Sequence, residues 1–133
     1  MSRSDPATRT YHVWFSTKHR KPALVDDIRD AVLEVFNDVA RRTGIRLMAA
    51  EAIEDHVHLV LQLGAEKLLS TAVHDLKGAS AREVFRRFPD LRLDMGTNSF
   101  WQISYGWRRV PDCRIEIVRE YVQTQARRPL RHE

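Results

Sequence analysis

Residues 52–63, AIEDHVHLVLQL, constrain the fold more than any other part of the chain. Side chains of a β-strand alternate between its two sides, and the apolar residues of this segment alternate in the same way. Its apolar side consists of Val57, Leu59 and Leu61. That side is the natural core face, so the segment predicts a strand that packs one face of a sheet against the rest of the protein. The opposite side presents two histidines, His56 and His58.

The rest of the chain alternates between strand and helix patterns, with a loop over residues 89–98. Strands are predicted over residues 10–18, 45–53, 55–63 and 99–110, the last with a kink at Gly106. Helices are predicted over residues 26–43, 66–88 and 112–128. In the first helix, Asp26 or Asp27 is the expected N-cap, and Gly44 ends the helix.

The order β-α-β-β-α-β-α predicts one α+β domain, a ferredoxin-like antiparallel sheet with packed helices. A chain of 133 residues suits a single domain. That domain is expected to span residues 1–133, with a loose lead-in over residues 1–9 and a basic tail over residues 127–133.

Composition excludes several classes of protein. With one cysteine, Cys113, the chain has neither an internal disulfide nor a cysteine zinc cluster. No run approaches the roughly 20 apolar residues of a membrane span, and the first ten residues lack the apolar stretch of a secretion signal. We therefore expect a cytoplasmic protein with no membrane partner. The net charge of +4, from 22 Lys and Arg against 18 Asp and Glu, suits a polyanionic partner, although many solvated surfaces are mildly basic.

The two histidines have two interpretations. Along a strand their Cα atoms would lie roughly 7 Å apart, which lets both imidazoles converge on one metal ion. Two histidines with one oxygen donor would leave positions open for a substrate oxygen. The alternative is a pair of half-exposed histidines on a solvated sheet face, because no further zinc-type ligands accompany them. Asp55 is interpreted as a structural residue or as one that supports a ligand.

The last predicted helix contains a tyrosine and an amide one turn apart. Tyr121 and Gln125 are at positions i and i+4, so they share one helical face. The tyrosine could be a nucleophile, and the amide oxygen could be a third metal ligand. The alternative for Tyr121 is an anchor at the edge of the core. The remaining histidines lack paired spacing and are interpreted as surface or loop residues: His12, His19, His74 and His132.

Five segments in the right order carry a resemblance to a known family. They are YHVWFSTKHRKPAL (residues 11–24), DHVHLV (55–60), LKGASAREVFRRFP (76–89), FWQISYGWRRV (100–110) and YVQTQ (121–125). Together they resemble the single-tyrosine HUH transposases of small bacterial insertion sequences of the 200/605 type, and the REP-associated tyrosine transposases. The resemblance covers nearly the whole chain.

The resemblance implies an enzyme that cleaves and rejoins single-stranded DNA at hairpin-bearing element ends through a covalent 5′-phosphotyrosine. It implies that Tyr121 is the nucleophile. It also implies that His56, His58 and Gln125 bind Mg²⁺ or Mn²⁺, which contacts the scissile phosphate. A homodimer is expected, in which the last helix of one subunit supplies Tyr121 to the histidines of the other.

Basic residues cluster in four runs, which favours nucleic acid as the partner. The candidate DNA-binding residues are Lys18, Arg20, Lys21, Lys77, Arg82, Arg86, Arg108, Arg109, Arg127 and Arg128. The tryptophans at positions 14, 101 and 107 are candidates for base stacking, although we expect at least two of them to pack in the core.

Two other functions remain compatible with these residues. One is a domesticated relative that binds hairpin DNA or RNA with little catalysis. The other is a metal-dependent nuclease that activates water and forms no covalent intermediate.

Overall fold

A computed structural model of the chain describes residues 8–124, which form a four-stranded antiparallel sheet with the order β2-β3-β1-β4. The strands are β1 (Arg9–Ser16), β2 (Arg46–Ile53), β3 (His56–Leu63) and β4 (Gly106–Arg109). The helices are α1 (Asp26–Thr43), α2 (Leu69–Arg87), α3 (Leu91–Met95) and α4 (Ile115–Gln123). Short 3₁₀ turns span Lys18–Arg20 and Asp112–Arg114. This is the predicted α+β architecture, with a ferredoxin-like strand order.

One face of the sheet is covered by α1 and α2 and forms the main core. Val57 and Leu59 of β3 have no solvent exposure, and they belong to the same cluster as Phe36 of α1 and Leu76 of α2. The predicted core face of β3 is therefore confirmed. Because alternate side chains of β3 point the other way, His56 and His58 must lie on the opposite face.

The opposite face is partly covered by α4. Val122 of α4 is fully buried against Val60 of β3 and Ala49 of β2. The Arg119 guanidinium donates a hydrogen bond to the carbonyl oxygen of Met48 at 3.0 Å. These contacts fix α4 on the face that carries the two histidines.

The segment before β4 differs from the predicted strand. Only Gly106–Arg109 pairs with β1, whereas Trp101 makes an isolated bridge with Thr17 and its side chain turns into the core. Its indole Nε1 donates to the hydroxyl of buried Ser80 at 2.9 Å. Tertiary contacts with α2 therefore override the strand preference of this aromatic stretch.

Two helix boundaries also differ from the predictions. The N-cap of α1 is Val25, which makes no side-chain cap, so the prediction of Asp26 or Asp27 as cap was wrong; both lie in the first turn, where their charge complements the helix dipole. The predicted loop contains α3, and α4 begins only after a 3₁₀ turn. Within residues 8–124, no helix has the length and apolarity needed to cross a membrane.

Candidate active site

His56 and His58 lie next to each other on the α4 side of β3. Their ring centroids are 5.1 Å apart and the ring planes are nearly perpendicular, at 86°. In the β1–β3 pairing, His56 is opposite Ser16 and His58 is opposite Trp14. The alternation of β3 therefore brings the two imidazoles together, as the sequence predicted, and leaves both half-buried.

His56 is anchored by a carboxylate. Its Nδ1 lies 2.9 Å from Oδ1 of Asp55, and the other carboxylate oxygen accepts a hydrogen bond from Arg20 Nε at 3.0 Å. Burial would raise the pKa of Asp55, but the hydrogen bonds from His56 and Arg20 outweigh it and lower that pKa. Asp55 is therefore ionised at neutral pH and accepts the Nδ1–H of His56, which leaves the Nε2 lone pair of His56 available. This agrees with the interpretation of Asp55 as a supporting residue.

His58 is anchored by a third histidine. Its Nδ1 lies 3.0 Å from Nε2 of His12 on β1. Burial, followed by repulsion from the charged forms of His56 and His12, lowers the pKa of His58 to about 4. The pKa of His12 is also lowered, by burial and then by Arg108. Both rings are therefore neutral near pH 7, the state in which an imidazole nitrogen can bind a metal.

Tyr121 faces the same region from α4. Its ring centroid lies 6.4 Å from that of His12, and its side chain is 42% exposed. It lines an open pocket of about 430 Å³ together with His12, Trp14, His58, Arg108, Arg114, Ile117 and Val118. Helical spacing places four of these lining residues, at positions 114, 117, 118 and 121, on one side of the Asp112–Gln123 segment. The tyrosine and one of the paired histidines thus share one pocket of the same chain.

The residues fit a divalent metal as a pair of ligands. Within residues 8–124, no hydrogen bond engages Nε2 of His56 or His58, so both nitrogens are available to a metal. In that part of the chain no group of three His, Cys, Asp or Glu side chains is arranged around a common point. A third ligand must then be a residue of another type or the DNA itself. The candidate from the sequence, Gln125, lies outside the described residues.

The basic pair of β4 is split between the two faces of the sheet. Arg108 is paired with His12 and lines the pocket, whereas Arg109 is paired with Tyr11. The Arg109 guanidinium lies 5.8 Å from the centre of the Tyr11 ring, on the side of α1 and α2. Of these two arginines, Arg108 is the one that faces the histidines.

The other candidate DNA-binding residues fall into three groups. Lys18, Arg20 and Lys21 lie in the turn after β1, where Lys18 is half-buried, Arg20 and Lys21 are exposed, and Arg20 reaches Asp55. Arg82 and Arg86 lie on α2, on the other side of the sheet from the histidines. Arg127 and Arg128 lie outside the described residues.

Lys77, a candidate DNA-binding residue of α2, lies half-buried. Its ammonium group donates to the carbonyl oxygens of Gln102, Ile103 and Ser104 at 2.6–3.1 Å. These bonds tie α2 to the loop that leads into β4. The structure therefore gives Lys77 a role in positioning Gly106–Arg109. The N–H groups of its ammonium are already engaged by these carbonyl oxygens.

Sequence reasoning did not assign two charged or polar residues of the pocket, His12 and Arg114, to the site. His12 was interpreted as a surface residue, because only the β1–β3 pairing brings it to His58. Arg114 was not singled out, although it is seven residues, about two helical turns, before Tyr121. The expectation that at least two of the three tryptophans pack in the core was also wrong. Trp101 alone does so, whereas Trp14 lines the pocket and Trp107 is 54% exposed.

Comparisons with known proteins agree on one family. The model of the family described as "Transposase IS200 like" matches residues 7–125. The ISDra2 transposase TnpA of Deinococcus radiodurans is 30% identical over 115 residues, which are 86% of this chain and 82% of that protein. The transposase of insertion sequence IS200 from Salmonella typhimurium is 28% identical over 95 residues, 71% of this chain and 62% of that protein.

Solved structures give the same fold. A crystal structure from Deinococcus radiodurans, 31% identical, superimposes with a TM-score of 0.75 over 94% of this chain and 96% of its own. A REP-associated tyrosine transposase bound to a REP hairpin, 13% identical, has a TM-score of 0.64 over 93% of this chain and 72% of its own. At that identity the second likeness concerns the fold alone. The family model spans almost all of the described residues, and this chain therefore belongs to the IS200-like transposase family.

Proposed function

We propose that this chain cleaves and rejoins single-stranded DNA at hairpin-bearing ends through a covalent 5′-phosphotyrosine on Tyr121. The observation that carries the proposal is that Tyr121 and His58 line one pocket. A nucleophile beside a pair of imidazoles whose Nε2 atoms make no hydrogen bond among the described residues suits metal-assisted phosphoryl transfer.

In the proposed cleavage step, the Tyr121 oxygen attacks the scissile phosphorus. The bond from phosphorus to the 3′ oxygen breaks, and that oxygen leaves as a 3′-hydroxyl with a proton that balances the one lost by the phenol. The phosphotyrosine keeps the energy of the broken ester, so a second 3′-hydroxyl can reverse the step and join new ends.

His56 and His58 would hold the metal, Mg²⁺ or Mn²⁺, with Gln125 as the proposed third ligand. When bound, the metal supplies positive charge that orients the scissile phosphate and offsets the charge developing on it. The two imidazoles leave most of the coordination positions open, which suits a metal that binds phosphate oxygens.

Two arginines support the same assignment. Arg108 of β4 and Arg114 of the turn before α4 both line the pocket, and both are exposed. A guanidinium binds phosphate with paired hydrogen bonds, so the pocket presents cationic groups where a DNA backbone would have to lie. Half-buried Trp14, beneath Arg108, adds an aromatic surface.

The proposed substrate is a single strand that folds into a hairpin. The support is family membership and the REP hairpin bound to the solved neighbour of the same fold. Binding is expected to prefer such a hairpin to a fully paired blunt duplex of matched length at every salt concentration. Equal affinity for the two forms would contradict this part of the proposal.

We also propose that the chain acts as a homodimer, because strand transfer requires two cleaved ends held together. The sheet ends at β2 and β4, and edge strands offer backbone groups to a second copy. Within one chain, α4 already places Tyr121 beside its own histidines. Mixing Tyr121→Phe protein with His56→Ala, His58→Ala protein tests whether copies exchange α4. Recovered cleavage would demonstrate exchange, and a dimer without recovery would show self-contained sites.

The test of the main proposal is to trap the covalent adduct. Purified protein with Mn²⁺ is incubated with labelled single strands that cover both flanks of its gene, and products are separated on denaturing gels. The wild-type protein should form a labelled adduct, and Tyr121→Phe should form none while still binding the DNA. Tyr105→Phe is the matched control. An undiminished adduct in Tyr121→Phe would show that another residue is the nucleophile.

The same experiment separates the alternatives. Cleavage without an adduct would favour a metal-dependent nuclease that activates water. Hairpin binding with neither cleavage nor adduct would favour a domesticated binding protein. The shared pocket of Tyr121 and His58 favours the covalent reaction over both, because a simple binding protein needs no nucleophile beside the paired imidazoles.

A further inference from the structure

The two paired histidines have different anchors. His56 is anchored by Asp55, with 2.9 Å between Nδ1 and the carboxylate. The corresponding nitrogen of His58 faces no carboxylate among the described residues; it lies 3.0 Å from Nε2 of His12. In both rings Nδ1 is the engaged nitrogen, so both would present Nε2 to a metal.

We propose that His12 is a positioning residue, which holds the His58 ring so that Nε2 of His58 binds the metal. This inference rests on the proposed function, because it assigns His12 a role at the metal site proposed there. A metal-binding histidine commonly donates its other ring N–H to a fixed acceptor, which sets both its orientation and the position of its hydrogen. Nε2 of His12 is that acceptor for His58.

The hydrogen between the two rings decides whether His58 can bind a metal. If His58 Nδ1–H donates to His12, the lone pair of His58 Nε2 is available. If His12 donates instead, neutral His58 carries its hydrogen on Nε2 and that nitrogen has no lone pair to offer. Metal binding through Nε2 therefore requires His12 to act as the acceptor.

The fold holds His12 where this bond can form. On β1, His12 is paired directly with Val60, so it reaches His58 along the diagonal of the antiparallel pair. Its ring centroid lies 5.0 Å from that of Trp14 and 5.2 Å from that of His58. Contacts with these two rings restrict the movement of the imidazole.

A competing role for His12 is an interaction with Tyr121, since those ring centroids are 6.4 Å apart. The two roles predict different results. A residue that positions His58 changes metal affinity in the absence of DNA. A residue that acts only on Tyr121 changes the cleavage rate and leaves metal affinity unchanged.

The experiment measures Mn²⁺ binding to the full-length, chelator-stripped protein by calorimetry, without DNA. His12→Phe removes the acceptor and keeps a flat ring. His12→Gln places an amide oxygen near the position of Nε2. His74→Gln, at an exposed position of α2, is the control. We expect His12→Phe to weaken Mn²⁺ binding by about 10- to 100-fold, His12→Gln to recover part of that loss, and the control to match the wild type.

Thermal melting of the metal-free variants checks that they fold. A folded His12→Phe variant with wild-type Mn²⁺ affinity would overturn the role of His12 and leave the proposed function intact. A wild-type protein that binds no Mn²⁺ would overturn the proposed metal site itself, and with it this inference.

A second measurement needs no variant. Imidazole ¹⁵N–¹H spectra of the metal-free wild-type protein report which nitrogen of His58 carries the hydrogen. We expect it on Nδ1. A hydrogen on Nε2 of His58 would overturn the inference even if His12→Phe failed to fold.

Discussion

The indole of Trp14 lies directly against the backbone of Gly106. The two residues are paired across β1 and β4, and a methyl group added at Gly106 would overlap atoms Nε1, Cε2 and Cζ2 of that indole. Trp14 is also the neighbour opposite His58 and lies 5.0 Å from the His12 ring. The missing side chain at Gly106 therefore sets the depth at which Trp14 packs beneath the pocket.

Gly106→Ala should displace Trp14 and reduce cleavage activity more than it reduces the stability of the fold. The methyl group must displace the indole, whose ring lies 5.0 Å from that of His12, so the shift reaches the pocket. We expect DNA cleavage to fall at least tenfold, with the free energy of unfolding reduced by about 1–3 kcal/mol, as for overpacking elsewhere. Gly78→Ala on α2, where a methyl group meets only the end of Arg82 at 3.5 Å, is the control. Equal effects of the two substitutions would contradict this role of Gly106.

The sequence predicted the strands near the site well and the segment before β4 poorly. The predicted bounds of β2 and β3 lie within one residue of the observed ones, and in β3 the alternating apolar residues are buried as the pattern indicated. Residues 100–105 are as aromatic and β-prone as a strand. Their contacts are made instead by Trp101 in the core and by the carbonyls that Lys77 binds, and neither contact has a local sequence signal.

The sequence predicted those features of the candidate site that depend on one β-strand or one helix alone. Periodicity within β3 placed His56 and His58 on one face, and helical spacing predicted that Tyr121 and Gln125 share one face of the last helix. His12 joined them only through pairing with a distant strand, and the same pairing separated Arg108 from Arg109. The register between strands depends on the whole sheet. Contacts between residues of different strands therefore cannot be predicted from local sequence patterns.

Ser80→Ala should destabilise the protein although it removes one oxygen atom. The hydroxyl accepts the Trp101 indole N–H at 2.9 Å, and both side chains are buried. Without it the N–H has no acceptor, which costs about 1–3 kcal/mol in the free energy of unfolding. Urea denaturation measures this cost, with exposed Ser70→Ala as control.

A double-mutant cycle gives the pair its own test. Trp101→Phe should lower the free energy of unfolding less in the Ser80→Ala background than in the wild type. In that background the substitution also removes an indole N–H that has no acceptor. Strictly additive costs would show that the hydrogen bond contributes nothing.

The stability of the metal-free protein should fall as the pH is lowered from about 6.5 to about 4. Burial, with His56 and His12 as lesser causes, lowers the pKa of His58 from 6.5 to about 4. Between these values the unfolded chain binds a proton at this histidine and the folded chain does not, so the free energy of unfolding decreases with decreasing pH. Below about pH 4 both states are protonated and the stabilisation is lost.

Urea denaturation in chelator at several pH values measures this slope. His58→Gln should flatten it, whereas His74→Gln should leave it unchanged. An identical slope in His58→Gln would show that other groups cause the pH dependence.

His56→Ala and His58→Ala should each abolish cleavage and weaken Mn²⁺ binding. One remaining imidazole makes a poor site, since the described residues provide no third ligand of the histidine, cysteine or carboxylate type. Calorimetry measures binding, and gel assays at limiting Mn²⁺ measure cleavage. His74→Ala is the matched control. If both variants cleave normally at limiting metal, the histidines have a structural role only.

Arg108→Gln should weaken DNA binding more than Arg109→Gln does, although the two residues are adjacent. Arg108 lines the pocket beside His12, whereas Arg109 lies over Tyr11 on the other face of β4. Each phosphate contact contributes about 0.7–0.9 to the slope of log affinity against log salt concentration, because it releases counterions. Titrating a labelled single-stranded DNA hairpin at several salt concentrations should therefore show the slope reduced by about 1 in Arg108→Gln and nearly unchanged in Arg109→Gln. Equal reductions in both variants would mean that the DNA contacts both faces of β4, and a larger reduction in Arg109→Gln would place the DNA on the side of α1 and α2, away from Tyr121.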